Sequence, residues 1–410
     1  AVAAATGRGP EHEIPASIAL ALSHVVSGSG VADLQVLDSA EELVVGLCDA
    51  GFPGAAELAP AVAIASTIRD RFAPAQALLS AAVSSSRRTG MIGLEGFASA
   101  LMADVSWRTG DWMQAWTTLQ SVEQRAAEDQ HLEVRLVAST YLTRLAAALD
   151  ESERCSELAA FVRAGAGPLG LDTYVSWADA SLGLLHLGHG RWTEAVTHLT
   201  AVDERTRRGG LREPGVLWWG ADLVEALVRD GRTGAAQQAL ARFEADAARS
   251  VSSWAPLALE RCRALIDPDD AGAIGRATAA VEGFERAGMP FERARSLLIR
   301  GALPEADAES DRRAASDLFA ALGARAWVRQ AARPGERAAM SSPLERLTQA
   351  ERRVAMCVAE GRSYREAADE LCLSIKTVDF HLRSIFRKLG LRNRSELTRL
   401  VVGSSATPPS

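Results

Sequence analysis

A chain that repeats itself every 40 or 41 residues has few folds open to it, and here helix-loop-helix turns recur near Asp70, Gly110, Asp150, Gly190, Gly231 and Asp270. Five residues after each marker stands a small side chain, Ala75, Ala115, Cys155, Ala195, Ala236 and Gly275, where paired helices need close approach. Nine residues after it come Leu79, Leu119, Ala159, Leu199, Leu240 and Ala279, and twelve after it Ala82, Val122, Val162, Val202, Phe243 and Glu282. These positions share one helical face. In Gly110-Asp111-Trp112 and Gly190-Arg191-Trp192 a glycine ends one helix and the next resumes after a short polar step. A helix pair cannot bury its apolar face alone, so stacked pairs share a continuous core and curl into a solenoid with a concave inner surface. Residues are 48% hydrophobic but only 5% aromatic, with Ala, Leu, Glu and Arg prominent, and the expected fold class is all-α.

From about residue 60 to 330 the Gly-Asp/Arg-Trp turn and the alanine after it resemble the tetratricopeptide family, with longer helices accounting for the longer period. At 410 residues the chain exceeds one ordinary core. The expected division is a helical-repeat sensor or docking domain over 1–332, a linker over 333–346, a helix-turn-helix domain over 347–402 and a disordered tail over 403–410. The linker holds two prolines, a glycine and paired serines, and the Ser-Ser-Ala-Thr-Pro-Pro-Ser tail has nothing to bury. Charge follows the same division. Residues 344–403 carry twelve basic against eight acidic side chains, +4, which leaves −11 of the total −7 for the rest. A basic end on an acidic body fits an anionic partner for that end alone.

Within 347–402, Thr348-x-x-Glu351, Ser363-x-x-Glu366 and Asn393-x-x-Glu396 read as capping boxes, Ser374 as a further N-cap, and Gly361 and Gly390 as C-terminal caps. Four short helices follow, the third over 375–389. On it Val378, Leu382, Ile385 and Leu389 share a face that can pack on Val354, Ala367, Ala368 and Leu371, while Lys376, Thr377, Asp379, Phe380, Arg383, Arg387 and Lys388 occupy the other. A short helix, a tight Cys372-Leu373 turn and a basic exposed helix are the parts that lay one helix in a major groove. The runs Leu347-Thr348-x-x-Glu351, Ala359-x-Gly361-x-Ser363, Glu366-Ala367-Ala368, Leu373-Ser374-x-x-Thr377-Val378-x-x-His381 and Arg387-Lys388-Leu389-Gly390 resemble the LuxR-type helix-turn-helix.

That resemblance implies that Asp379, Phe380 and Arg383 face base edges and that Lys376, Thr377, Arg387 and Lys388 lie near phosphates. It also implies that the last helix pairs two subunits, here through Leu397, Leu400 and Val401. Asp379 stands where the family most often has Lys, and a carboxylate can accept from a cytosine or adenine amino group but cannot hold a phosphate. A distinct sequence preference is expected.

Other features exclude more than they suggest. Cys48, Cys155, Cys262, Cys357 and Cys372 are scattered and never spaced as CxxC, against a disulfide framework or zinc knuckle and in keeping with a reducing cytoplasm. No apolar run approaches a membrane span and no signal peptide opens the chain. His186, His189, Glu194 and His198 straddle the Gly190 turn and read as turn and surface residues, so no metal is expected. Trp177, Trp218, Trp219 and Trp254 fall on or near candidate first helices, which line the groove of a right-handed solenoid, where a ligand could stack or where they simply fill the core. Lys376 and Lys388 are the only lysines, and no Gly-x-x-x-x-Gly-Lys-Ser/Thr loop is present.

The chain is therefore read as no enzyme and as using no cofactor itself. Helical repeats before a LuxR-type domain resemble the rear half of the large ATP-binding LuxR regulators, which include the maltose regulator. Position 1 is Ala, so ATP enters the reading only through an upstream nucleotide-binding domain. The expected function is a cytoplasmic, nucleoid-associated transcription activator that binds double-stranded DNA as a homodimer. By the same resemblance it meets RNA polymerase, and its repeat groove takes a small-molecule or protein effector. A repeat-protein scaffold with a secondary DNA-binding tail is the alternative.

Overall fold

A computed structural model describes residues 10–27, 34–52, 54–304, 306–332, 349–359, 361–371 and 375–389, together with 391, 393–394, 396–398 and 400. All regular structure among the described residues is helical. No helix among them is long and apolar enough to cross a membrane. One compact unit takes in residues 1–227 and 235–333, and the second holds the helices after Pro334.

In the first unit the helices are α1 (Pro10–Ser27), α2 (Leu34–Asp49), α3 (Ala55–Ile68), α4 (Phe72–Thr89), α5 (Ile92–Thr109), α6 (Trp112–Glu128), α7 (Leu132–Leu149), α8 (Ser152–Ala166) and α9 (Asp172–Gly188). Then come α10 (Trp192–Gly209), α11 (Gly220–Arg229), α12 (Thr233–Ala247), α13 (Trp254–Ile266), α14 (Ala273–Arg286), α15 (Pro290–Arg300), α16 (Ala308–Leu322) and α17 (Arg325–Ala332). Antiparallel pairs begin at α3/α4, with the sequence markers in the turns inside each pair.

Their punctuation is finer than the 40-residue period. From Asp70 to Gly210 a residue with left-handed backbone stands every 20 positions: Asp70, Gly90, Gly110, Gln130, Asp150, Gly170, Gly190 and Gly210. Each lets the chain close its helix with a backbone bond that reaches past the end, as Asp111 N–H donates to Ser106 O at 2.8 Å and Arg191 N–H to His186 O at 2.9 Å. First and second helices of the pairs differ in burial. Twelve of the 18 residues of α7 are buried, whereas α6 buries a single stripe through Trp112, Ala115, Leu119, Val122 and Ala126. The first helices thus form an inner layer and the second helices an outer one.

The close-approach positions Ala75, Ala115, Cys155, Ala195 and Ala236 are all fully buried. The sixth pair departs from the expected register. Gly275, Ala279 and Glu282 are exposed, and Ala273, Ala277, Ala280 and Phe284 face the core instead. Asp270 has no left-handed backbone; a longer turn runs from Asp267 to Gly272 and re-phases α14.

A second departure lies between α10 and α11. The repeat calls for a full first helix there, but Pro214-Gly215 cannot be accommodated in a helix interior, and residues 211–219 form a non-helical strap that leaves α11 only ten residues long. Trp218 and Trp219 therefore sit in the strap, off any first helix. The buried Glu213 fastens the strap by accepting from Ser250 Oγ at 2.6 Å, Gly215 N at 2.8 Å and Val251 N at 3.0 Å.

Much of the inner surface of the repeat unit is filled. Asp70 Oδ2 accepts from Trp254 N at 2.9 Å and Ser252 Oγ at 2.7 Å, so a turn of the first pair caps α13. Arg329 pairs with Asp150 at 2.6 Å, and Gln330 Nε2 donates to Leu187 O and Gly188 O at 2.5 and 2.9 Å. An aromatic cluster of Trp107, Trp112, Phe291, Phe319 and Trp327 plugs the centre.

Candidate nucleic-acid interface

The second unit contains α18 (Gln349–Ala359), α19 (Tyr364–Leu371) and α20 (Ile375–Leu389), with helical backbone again at Arg394, 396–398 and Leu400. Its core joins Val354, Ala355, Cys357 and Val358 of α18, Ala367 and Ala368 of α19, and Val378, Leu382, Ile385 and Leu389 of α20. Leu371 packs at its edge. The face of α20 read as inward is the inward one.

Local chemistry sets where these helices start and stop. Gly361 takes φ +95° after α18, and Arg362 N–H reaches back to Cys357 O at 3.3 Å. Ser363 and Glu366 form a reciprocal capping box: Ser363 N donates to Glu366 Oε2 at 2.7 Å and Glu366 N to Ser363 Oγ at 3.3 Å. Hydrogen bonding from the Ser363 backbone N–H first, and from its side chain next, lowers the Glu366 carboxyl. Asn393 caps the last helical stretch, its Oδ1 accepting from Glu396 N at 3.0 Å. Thr348, Cys372, Leu373, Ser374 and Gly390 lie outside the described residues.

A tie not foreseen from the sequence is Arg394, whose Nη2 donates to Arg362 O at 2.8 Å and Val358 O at 3.2 Å. These are the carbonyls around the end of α18, and a cation there also favours the negative end of that helix. Arginine just inside a capped segment carried the only hint.

Of the residues expected to touch DNA, Asp379 and Arg383 are the two whose side chains are described. They lie one turn apart on the outward face of α20, joined by a 2.7 Å ion pair, with Asp379 43% and Arg383 79% exposed. The backbone places Lys376, Thr377, Phe380, Arg387 and Lys388 on α20 as well, and their side chains lie outside the described ones. A helix with a buried apolar face and an exposed, hydrogen-bonding face, held by two helices before it, is what a groove reader needs.

Residues 345–401 match the family model described as bacterial regulatory proteins, luxR family. The C-terminal domain is a LuxR-type helix-turn-helix. No curated protein matches the chain. Of the residues expected at a subunit seam, Leu397 is 0% exposed inside the domain's own core, Leu400 packs partly against the same core, and Val401 lies outside the described residues.

The tryptophans separate too. Trp218 and Trp254 stack on each other at 5.0 Å with parallel rings and are buried, which removes both from any open groove. Trp219 borders a cleft of about 20 Å³. Trp177, on α9, lines a larger cavity. The histidine cluster also divides: His186 and His198 stack at 5.3 Å, while His189 Nε2 lies 2.5 Å from Asp150 Oδ1.

Proposed function

We propose that this DNA-binding regulator recognises its operator as a dimer, with α20 in the major groove, and activates transcription in response to an effector received by the repeat unit. What carries the reading is the exposed Asp379–Arg383 pair on a helix whose opposite face is wholly committed to the core. Arg383 is the residue for a guanine edge and Asp379 for an amino group, while Lys376, Thr377, Arg387 and Lys388 hold phosphates. The dimer seam is drawn from Leu397, Leu400 and Val401, of which Leu397 also serves the domain's own core. RNA polymerase is the expected partner on DNA. The chain works without a cofactor of its own, and ATP enters only with an upstream nucleotide-binding domain.

Selection from a randomised duplex pool tests this, with Arg383→Ala and Arg387→Ala beside the native chain. An inverted repeat is enriched. Arg383→Ala costs about 1–3 kcal/mol on the selected site and relaxes one position, whereas Arg387→Ala weakens all sequences alike. No enrichment at low salt refutes the reading and leaves a repeat scaffold with a vestigial DNA-binding tail.

A further inference from the structure

A cavity of about 230 Å³ lies inside the repeat unit, walled by α1, α3, α5, α7, α9 and the strap after α10. Its walls are unlike. Leu22 on α1 and its neighbours on α3 are aliphatic, while Tyr141 and Trp177 form an aromatic side with ring centroids 5.4 Å apart and planes at 76°. Its charged lining residues, Asp104 and Arg108, stand one turn apart on α5 and define one end of it.

Charge at that end does not balance. The buried Asp104 accepts from Arg108 Nε at 3.2 Å through Oδ2, and its buried Oδ1 has no hydrogen-bond partner. Arg108 cannot serve it further. Its Nη1 and Nη2 donate to Gly215 O at 3.1 Å and Val216 O at 3.4 Å, and the guanidinium lies 4.7 Å over the Trp218 ring. A second buried carboxylate, Asp70, stands 3.9 Å from Arg108, and its Oδ1 also lacks a hydrogen bond. Two carboxylates share the Arg108 guanidinium, and Arg144 is the further cation acting on Asp104.

Deeper in the unit the same kind of network is matched. Arg295 lies between Asp222 at 2.6 Å and Glu225 at 2.5 Å, Arg144 reaches Asp222 at 3.3 Å, and Arg261 holds Glu292 at 2.7 Å. Burial alone would raise Glu292, but Arg261 and Arg295 outweigh it and bring that carboxyl down to about 2. Around Arg108 burial prevails instead. Asp104 is raised despite Arg108 and Arg144, and Asp70, outside the lining, is raised despite Arg108. A carboxylate short of a cation, in the wall of an apolar and aromatic chamber, is complementary to an organic ammonium, since aromatic faces attract cations and a buried charge needs a partner. An anionic ligand would meet the Asp104 carboxylate and a guanidinium already engaged.

We propose that this cavity is the effector site of the repeat unit and that it takes a small aromatic monoamine, the ammonium at the Asp104 end and the ring against Tyr141 and Trp177. The proposal rests on the effector-controlled reading above. Since a cavity of about 150 Å³ holds benzene, one of about 230 Å³ has room for about nine non-hydrogen atoms, the size of phenethylamine.

Calorimetry on the full chain with tryptamine and phenethylamine, against tryptophol, 2-phenylethanol and phenylacetate, is the test. At least one amine binds at a single saturable site, its matching alcohol binds at least tenfold more weakly, and phenylacetate does not bind. Leu22→Trp, which fills the chamber from its partly exposed rim without touching the charged groups, abolishes amine binding while the circular dichroism and Tm stay native. The proposal is overturned if neither amine binds, if alcohol or acid binds as well as amine, or if binding survives Leu22→Trp. Operator affinity with and without the amine that binds forms a separate arm. A bound amine that leaves DNA affinity unchanged overturns the effector role, whereas an intact operator selection with no amine bound overturns the amine site alone.

Discussion

At the scale of single residues, the Asp379–Arg383 pair decides how α20 meets DNA. An exposed pair one helical turn apart is worth only about 0.3–0.5 kcal/mol, so Arg383 is held in place yet easily released to a base. Asp379→Ala removes both the tether and a negative charge from the interface. Affinity for any duplex should rise, the preference at one base pair should fade, and the slope of log affinity against log salt should change; unchanged slope and preference would place position 379 outside the groove. His186 is a second residue with a measurable consequence. Burial first, and Arg191 next, lower its imidazole from 6.5 to about 4, with His198 stacked on it and Glu194 and His189 nearby. The unfolded chain therefore binds a proton between pH 6.5 and 4 that the folded chain refuses. The His186 contribution is complete above pH 6.5 and is lost as pH falls towards 4. His186→Phe should flatten that part of the Tm profile between pH 7.5 and 4.5, and an unaltered profile would refute the assignment. The sequence showed these histidines together, but adjacency along the chain carries no information on which rings meet across a turn.

At the scale of elements, much was legible because short-range chemistry leaves local marks. Ser363 with Glu366, Gly361, and the 3.6-residue spacing of Val378, Leu382, Ile385 and Leu389 determine helix starts, stops and faces by themselves. The repeats were only half legible. Left-handed helix ends recur every 20 residues, yet the one at position 130 is a glutamine with φ 58°, a residue with no sequence signal for that conformation, so only the longer period stood out. An exposed non-glycine residue held there carries about 1–2 kcal/mol of steric cost, partly offset in a glycine variant by greater freedom when unfolded. Gln130→Gly should thus raise stability by about 0.5–1 kcal/mol, seen as a higher urea midpoint at constant m-value; a lower midpoint would mean that the glutamine side chain matters. The strap escaped notice for a different reason. Pro214-Gly215 announces a break, but not that the carbonyls it frees will bind Arg108. Leu397 was ambiguous likewise, since an apolar residue on a terminal helix fits a subunit seam as well as a core.

At the scale of the whole molecule, the repeat unit differs from an open stack of helix pairs. In an open stack each repeat touches only its neighbours, and a defect stays local. Here residues far apart in sequence meet in the interior, as Asp70 does with Trp254 and Gln330 with Leu187, and no periodic pattern encodes such meetings. Trp327 shows the consequence best. It is 1% exposed, sits 5.4 Å from Phe291 and 5.7 Å from Phe319, and lies under Arg295 at 5.0 Å. A Cβ placed on Gly188 of α9 would be 3.1 Å from its indole nitrogen, so the last helix rests directly on a repeat about 140 residues earlier, near where Gln330 binds the Leu187 carbonyl. Trp327→Ala should cost about 3–5 kcal/mol, the range for a large buried aromatic. Its reach is the sharper test. Amide exchange should quicken at the C-terminal end of α9 and around Trp107 and Trp112 as well as in α15–α17, with the unit still unfolding in one transition of lower midpoint. An effect confined to α16 and α17 would show that the pairs act as independent links and that the filled interior adds contacts without making the unit cooperative.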